Sequence, residues 1–402
     1  MSNVLMVNVG SEGHINPTIS VVQRLVEHVE HVVYFVSDSF ADKLKQTGAE
    51  IRPISTEALM TEFRHYGNDN LFNVINGLLR MGNVVIPEVL NGIEGEHYDY
   101  LIHDSMFSMG YCIAQHLDIP SISLYASFAE NKTTFDQKLD GMAHALSDAE
   151  VAKADDIFND LKQHLEQKYD VDIPSRYVVM QNPADLNITF VMKGFQSNKD
   201  LIPDDQFIYA GPSLRHVEQD TEFLENIDSS RPLIYISLGT VFNSNQRFFE
   251  QCVEAFSDID ATVLMSISNP DVLDALNDFP DNFIVKSYVP QLEVLKRADL
   301  FLTHGGMNST NEGIYYHVPL IAFPQGADQP FVAKRIAELN IGTQMDTAHI
   351  SAEDIKKEAT HILEHLDTYQ ANVRKVAEDQ PYEEPGYIVA ADKIMAFGRQ
   401  SK

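Results

Sequence analysis

One short stretch carries several residues able to hold an anion. In LFLTHGGMNSTNEG, residues 300–313, an apolar strand ends at His304, Gly305 and Gly306 turn the chain, and a helical pattern begins near Met307. A strand, turn and helix in that order aim the first-turn amides and the positive end of the helix dipole at one point, where a phosphate fits. Asn308 and Ser309 add side-chain donors in the first turn, His304 can donate from the strand end, and Glu312 lies one turn further on, placed to accept from a diol such as that of a ribose. The same residues also read as helix caps, a tight turn and a capping-box glutamate. Their neighbours favour the anion. SLGT (Ser237, Gly239, Thr240) ends one apolar run, YVPQ (Tyr288, Val289, Gln291) ends another, and Asp328-Gln329 follows a third. In a parallel sheet these points crowd one carboxyl edge, the edge at which ligands bind.

A second constellation lies near the start. The run VLMVNV leads into GSEGHINP, where Gly10 and Gly13 shape a tight turn, Pro17 suits the first turn of a following helix, and His14 is held at a strand's carboxyl edge. YDYLIHDS brings Asp104 to an equivalent edge, with His103 on the opposite face of the strand. A carboxylate against one imidazole nitrogen fixes the tautomer and steadies the imidazolium, so that the other nitrogen can take a proton from a hydroxyl. Asp104 equally reads as the N-cap of a helix starting near Ser105, and the two roles are compatible.

The elements that must position these residues follow an alternating pattern. In the first half VLMVNV, HVVYFVS, YDYLIHD, PSISLYA and LNITFVM read as strands, with helical patterns at 18–28, 38–47 and 105–116. The second half restarts with PLIYISLGT and continues through ATVLMSI, NFIVKSY, LFLTHG and PLIAFP. Strands alternating with helices give α/β units with parallel sheets. At 402 residues the chain exceeds what one core usually organises. The expected layout is a domain over 1–210, a polar, acidic, proline-bounded linker over 211–232 and a second domain over 233–380. A terminal helix follows over 381–402, with an apolar face of Ile388, Ala391, Ile394 and Phe397, which can pack back on the first domain. The acid-rich helical stretch 130–172 reads as an excursion over the first domain's cleft or as a solvated hairpin.

Composition narrows the partners. The 59 acidic residues against 29 Lys and Arg give a formal charge of -30, which repels nucleic acid and anionic lipid, so a phosphate ligand needs a built local site. Cys112 and Cys252 form neither a disulfide framework nor a metal cluster and read as buried thiols. No leader-like n-region opens the chain, and no apolar run approaches the roughly 20 residues that span a bilayer, so a cytoplasmic protein is expected.

The stretch SYVPQLEVLKRADLFLTHGGMNSTNEGIYYHVPLIAFPQGADQ closely resembles the donor signature of the UDP-glycosyltransferase family, and the wider chain resembles its bacterial macrolide and flavonoid glucosyltransferase branch. The resemblance spans nearly the whole chain, tightly in this signature and loosely in the first half. It implies the GT-B fold, two Rossmann-like doubly wound domains facing across a cleft, with the acceptor on the first and the nucleotide sugar on the second. It implies that Tyr288 stacks on uracil, Val289 meets the base through its backbone, and Gln291 and Glu312 hold the ribose. His304, Asn308, Ser309 and Thr240, with Ser237, Gly239 and Gly306 beside them, would surround the diphosphate, and Asp328 and Gln329 would take sugar hydroxyls. His14 and Asp104 match the family's catalytic dyad. One departure stands out: the family commonly has Trp at the stacking position, and this chain has no Trp and presents Tyr288. The smaller face weakens base stacking, worth on the order of 1–3 kcal/mol, or loosens nucleotide preference.

The absences agree. There is no G-x-G-x-x-G after the first strand, which argues against a nicotinamide or flavin enzyme, and no Walker-type loop. The D-x-D strings at 170–172 and 258–260 lie away from the donor edge, so no metal is expected. The expectation is an inverting, metal-independent transfer of a hexose from a UDP-sugar to a hydroxyl of a lipophilic small molecule, with no cofactor beyond the donor. Phe63, Tyr66, Phe72, Met81, Met106, Phe107, Met109, Tyr125 and Phe128 read either as acceptor pocket or as core. The rivals are a nucleotide-sugar epimerase, which converts the donor with no acceptor supplied, and a non-catalytic partner protein of the same architecture.

Overall fold

Strands that read as unbroken apolar runs must be covered on both faces, and that is how the central strands sit. The computed structural model describes residues 2–28, 30–203, 205–214, 222–225, 227–239, 243–276 and 278–400. Strands β1 (Asn3–Asn8), β2 (His31–Ser37), β3 (Glu50–Ile54), β4 (Tyr100–Asp104), β5 (Ser121–Tyr125), β6 (Leu186–Thr189) and β7 (Ile208–Tyr209) form one parallel sheet in the order β3-β2-β1-β4-β5-β6-β7. Successive side chains of a strand alternate between faces. Leu5, Val7 and Leu101 therefore enter one core, with the helix Leu71–Gly92, while Val4, Met6, Tyr100 and Ile102 enter the other, with the helix Glu12–Glu27.

A second parallel sheet contains β8 (Leu233–Ser237), β9 (Thr262–Ser266), β10 (Phe283–Lys286), β11 (Leu300–Thr303), β12 (Leu320–Ala322) and β13 (Gly342–Gln344) in the order β10-β9-β8-β11-β12-β13. Contacts divide the chain into Met1–Val191 with Asn198–Ser213 and Tyr382–Lys402, and Met192–Ser197 with Leu214–Pro381. Residues 215–221 and 226 of the expected linker lie outside the described residues. Met192–Ser197 is held in the second unit: the Met192 N–H donates to Asn311 Oδ1 (3.0 Å), and Arg335 donates to the carbonyls of Phe195 and Gln196 (both 3.2 Å).

The terminal helix Gly386–Gln400 belongs to the first unit, where Val389, Ala390, Ala391, Ile394 and Met395 complete one of its cores. Its buried face is rotated from the expected one, with Ile388 and Phe397 only half-buried. Gly398 lets it close on β4, since a Cβ there would lie 2.4 Å from the Tyr100 ring, and Arg24 pairs with Asp392 at 2.9 Å. The acid-rich stretch forms the helices Lys132–Ala143 and Asp148–Tyr169, and Phe158, Leu165 and Tyr169 of the latter join the core around Leu71–Gly92. Cys112 and Cys252 are buried, free thiols, and burial pushes Cys112 up to about 12 and Cys252 well above its ordinary value. No described helix is long and apolar enough to cross a membrane.

Candidate active site

In the first unit β1 and β4 are neighbours whose connections leave in opposite directions, so their carboxyl ends flank the switch point of the sheet, the preferred ligand edge of such folds. β1 ends at Asn8 and the helix Glu12–Glu27 begins four residues later. The turn is shorter than the sequence pattern indicated, because Gly13 and His14 already lie in the first helical turn and Pro17 in the second. Gly10 is required by crowding: a Cβ there would sit 2.9 Å from His14 Cβ and 3.0 Å from the Phe107 ring. Asn8 braces the turn, accepting from the Gly10 N–H (3.0 Å) and donating to the His14 carbonyl (3.1 Å). The Val9 N–H donates to the Phe107 carbonyl (2.9 Å), joining this turn to the one after β4.

Across that junction His14 Nδ1 lies 2.8 Å from Asp104 Oδ2. The second carboxylate oxygen, Oδ1, accepts the N–H groups of Met106 (2.9 Å) and Phe107 (2.7 Å). Asp104 is 2% exposed and the His14 side chain 14%, and the Phe107 ring stands edge-on to the imidazole at 4.9 Å. Burial alone would raise the Asp104 carboxyl, but the His14 charge, its hydrogen bond and the two amides outweigh burial and hold it below the usual range. An ionised carboxylate only accepts, so Nδ1–H is the donor and Nε2 is the basic nitrogen. The helix after Asp104 starts at Gly110 rather than near Ser105, with Met109 at its N-cap in the left-handed region (φ 51°). Asp104 thus caps a turn while it orients His14. His103 packs on the other face beneath Gly110, where burial drives its imidazole down to about 4 and so neutral.

Of the apolar residues offered for an acceptor pocket, Phe72, Met81, Met109 and Tyr125 are core, each 4% exposed or less. Phe63, Met106 and Phe107 are only partly buried, and Phe63 meets Phe107 at 6.1 Å on the His14 side. Tyr66 and Phe128 are half-buried.

In the second unit β8 and β11 are the neighbours at the switch point. Ser237 closes β8 and Gly239 follows in the left-handed region (φ 72°), while Thr240 lies outside the described residues. After β11 come His304, Gly305 (φ 76°) and Gly306, the N-cap of the helix Met307–Tyr315, whose start no side chain caps. The half-buried His304 ring is wedged between glycines: a Cβ on Gly239 would lie 2.8 Å from its Cε1 and one on Gly306 2.3 Å from its Nε2. Burial drives this imidazole down to about 4 against the pull of the Asp328 carboxylate, so it is neutral, and its buried Nδ1 has no hydrogen-bond partner among the described residues. Gly306→Ala must displace a ring that Gly239 blocks from the other side.

Asn308 and Ser309 occupy the first turn of the helix Met307–Tyr315, half-buried. Gln291, at the start of the helix Gln291–Leu295, donates from Nε2 to Glu312 Oε2 (2.5 Å) and Ser309 Oγ (3.2 Å), while its Oε1 accepts from the Tyr235 hydroxyl (3.0 Å). Tyr235 escaped the sequence reading. The signal was a tyrosine in the middle of a fully buried strand, where the hydroxyl must find a partner. Tyr288, 68% exposed, follows the edge strand β10, and Val289 beside it is 4% exposed. Asp328 is the half-buried N-cap of the helix Gln329–Glu338. Gln329 is buried, and its carboxamide oxygen already accepts the N–H groups of Gln325 (2.8 Å) and Gly326 (3.3 Å), so it braces the loop carrying Asp328.

The D-x-D strings sit elsewhere. Asp258 pairs with Lys356 (2.5 Å) and Asp260 with Arg231 (3.2 Å) before β9, on the amino edge of the second sheet. Asp170 ends the helix Asp148–Tyr169 in the left-handed region (φ 53°). Among the described residues no three His, Cys, Asp or Glu side chains are grouped to hold a metal.

Comparison with known proteins converges on one family. Residues 250–394 match the family described as "Erythromycin biosynthesis protein CIII-like, C-terminal domain". The chain is 31% identical to the "Uncharacterized UDP-glucosyltransferase YojK" of Bacillus subtilis (strain 168), over 100% of this chain and 98% of that protein. It is 32% identical to the "NDP-glycosyltransferase YjiC" of the same organism, over 99% and 98%. Among solved structures, that of CalG4, the calicheamicin glycosyltransferase, superposes with a TM-score of 0.81 at 24% identity, covering 100% of both chains. Two parallel-sheet α/β domains of this kind are the GT-B fold, and the chain is a glycosyltransferase belonging to the UDP-glycosyltransferase family.

Proposed function

We propose that this enzyme moves a hexose, glucose by preference, from a UDP-sugar to a hydroxyl of a lipophilic small molecule such as a phenol, flavonoid or macrolide, inverting the anomeric carbon. The observation that carries the reading is the His14–Asp104 pair, 2.8 Å apart at the β1/β4 switch point. Nε2 of His14 takes the acceptor proton as the acceptor oxygen bonds to the anomeric carbon, and the bond from that carbon to the diphosphate breaks with its electron pair leaving on UDP. Asp104 stabilises the imidazolium. One base and no protein nucleophile mean one displacement and one inversion.

The donor reading rests on the second unit. The start of the helix Met307–Tyr315, with neutral His304, Asn308 and Ser309, supplies donors to the diphosphate and carries the leaving group's charge without a metal. Gln291 and Glu312 hold the ribose, Tyr288 and Val289 the base, and Asp328 the sugar. The names of the two Bacillus relatives, a UDP-glucosyltransferase and an NDP-glycosyltransferase, support a nucleoside diphosphate donor. Tyr288 in place of a larger indole fits some breadth in the base. An array of UDP- and TDP-sugars against phenolic, macrolide and sterol acceptors, read by product mass, tests the proposal. Sugar transfer to a phenol or macrolide supports it. Conversion of the nucleotide sugar in wells lacking acceptor, or no product anywhere, refutes it.

Glu312 gives a prediction whose sign can be worked out. Burial raises its carboxyl from 4.5 to about 7, with the Gln291 hydrogen bond pulling the other way. The folded state therefore holds the proton more tightly than the unfolded chain, and the cost of ionising Glu312 grows as pH rises from 4.5 to about 7. Glu312→Gln should match the parent in Tm at pH 4.5, gain on it through that window and hold a constant gain above it. The same variant should raise the KM for UDP-glucose about tenfold or more, because an ionised carboxylate is the stronger acceptor for a diol. A Tm difference that does not change with pH would contradict the assignment.

A further inference from the structure

We infer that Tyr235 is a positioning residue of the donor site: its hydroxyl fixes the Gln291 carboxamide so that the amide nitrogen faces Glu312 and Ser309. The inference rests on the proposed ribose-binding role of Gln291 and Glu312. A glutamine amide has two orientations related by a half-turn, and only one presents a donor to a carboxylate. Here Oε1 accepts from the Tyr235 hydroxyl (3.0 Å), which leaves Nε2 to donate to Glu312 Oε2 (2.5 Å) and Ser309 Oγ (3.2 Å). Once Glu312 ionises, above about pH 7, the opposite orientation would set the amide oxygen against a carboxylate.

The hydroxyl is itself immobile. Tyr235 is 1% exposed in the middle of β8, and its ring stacks on Phe301 of β11 at 4.7 Å and 16°, the two being register partners across the strand pair. Burial holds the phenol far above its ordinary pKa, so it remains protonated. The strand pair at the switch point thus sets the direction of one hydroxyl, the hydroxyl sets one amide, and the amide aligns the carboxylate at the end of the first helical turns. Phenylalanine fills the same space, as Phe301 does one strand away. The tyrosine oxygen is needed for the carboxamide rather than for packing.

Tyr235→Phe, Gln291→Ala, their double variant and Glu312→Gln in the full chain test this, with UDP-glucose and an accepted phenol. Tyr235→Phe should raise the KM for UDP-glucose about tenfold, the scale of one ligand hydrogen bond lost when the Gln291 carboxamide is no longer held, with kcat and the phenol KM close to the parent. In the Gln291→Ala background the same substitution should add nothing, because its effect runs through the carboxamide. If Glu312→Gln and Gln291→Ala leave the donor KM unchanged, the ribose reading fails. If they raise it and Tyr235→Phe does not, the ribose reading stands and the role of Tyr235 is refuted. A Tyr235→Phe effect of equal size in both backgrounds, or one seen only as a lowered thermal midpoint, also refutes it.

Discussion

His14→Ala is expected to lower kcat at least a hundredfold while UDP binds as tightly as to the parent, since general-base catalysis is worth roughly 10²–10⁴ in rate. The imidazole is 14% exposed and its burial mates are Phe107 and the β1 turn, so its loss opens a small surface notch rather than a core cavity. The variant should therefore fold, and the residues proposed to bind the donor belong to a separate unit. Initial rates at saturating UDP-glucose and phenol, beside UDP calorimetry, separate the two effects. Near-normal turnover would remove His14 from the mechanism.

Asp104→Asn should be nearly as damaging although it changes one atom. Asp104 Oδ1 accepts two backbone N–H groups, from Met106 and Phe107, at 2.9 and 2.7 Å. In the asparagine variant only the carboxamide oxygen can accept them, so the NH₂ group must turn toward His14 Nδ1. That nitrogen then has to accept, the ring proton moves to Nε2, and the base presents a proton where it needs a lone pair. A comparable substitution in the serine protease triad leaves geometry intact and costs about 10⁴ in kcat through the wrong tautomer. A loss of about 10²–10⁴ with an unchanged UDP affinity is expected here. Asp104→Asn at parental kcat would show that the 2.8 Å contact does not set the tautomer.

Much of this arrangement was legible in the residues. The central strands announced themselves as apolar runs because a parallel sheet buries both faces of its interior strands. The strands that escaped were β3, β7 and β13, all at sheet edges. β3 is EIRPI, with a proline that an edge strand tolerates and a half-exposed face, and β7 has two residues. Their identity comes from pairing with a neighbour, which no local pattern records. The ends of helices proved harder than their existence. The pattern placed His14 before a helix, but the turn closes earlier because Asn8 ties the Gly10 amide to the His14 carbonyl. Asp104 read as a possible cap of a nearby helix, and it caps a turn instead, six residues before that helix begins.

The residues proposed to hold the donor stood out in the sequence by type and spacing. Their network did not. That Gln329 spends its carboxamide oxygen on its own loop, and that Tyr235 reaches Gln291, depend on side-chain directions set by strands distant in sequence. The aromatic residues near the first-unit site divided between core and rim for the same reason. Phe72 and Met81, both on the helix Leu71–Gly92, turn into the core, while Phe107 stays partly buried against His14 and Phe63 partly buried against Phe107.

The proposed mechanism uses His14 as its base and no protein nucleophile, so it calls for a single displacement. Proton NMR of the first product formed from UDP-glucose, whose sugar is α-linked, and an accepted phenol reads this directly at the anomeric signal. The account predicts a β-glucoside. An α-glucoside would contradict it.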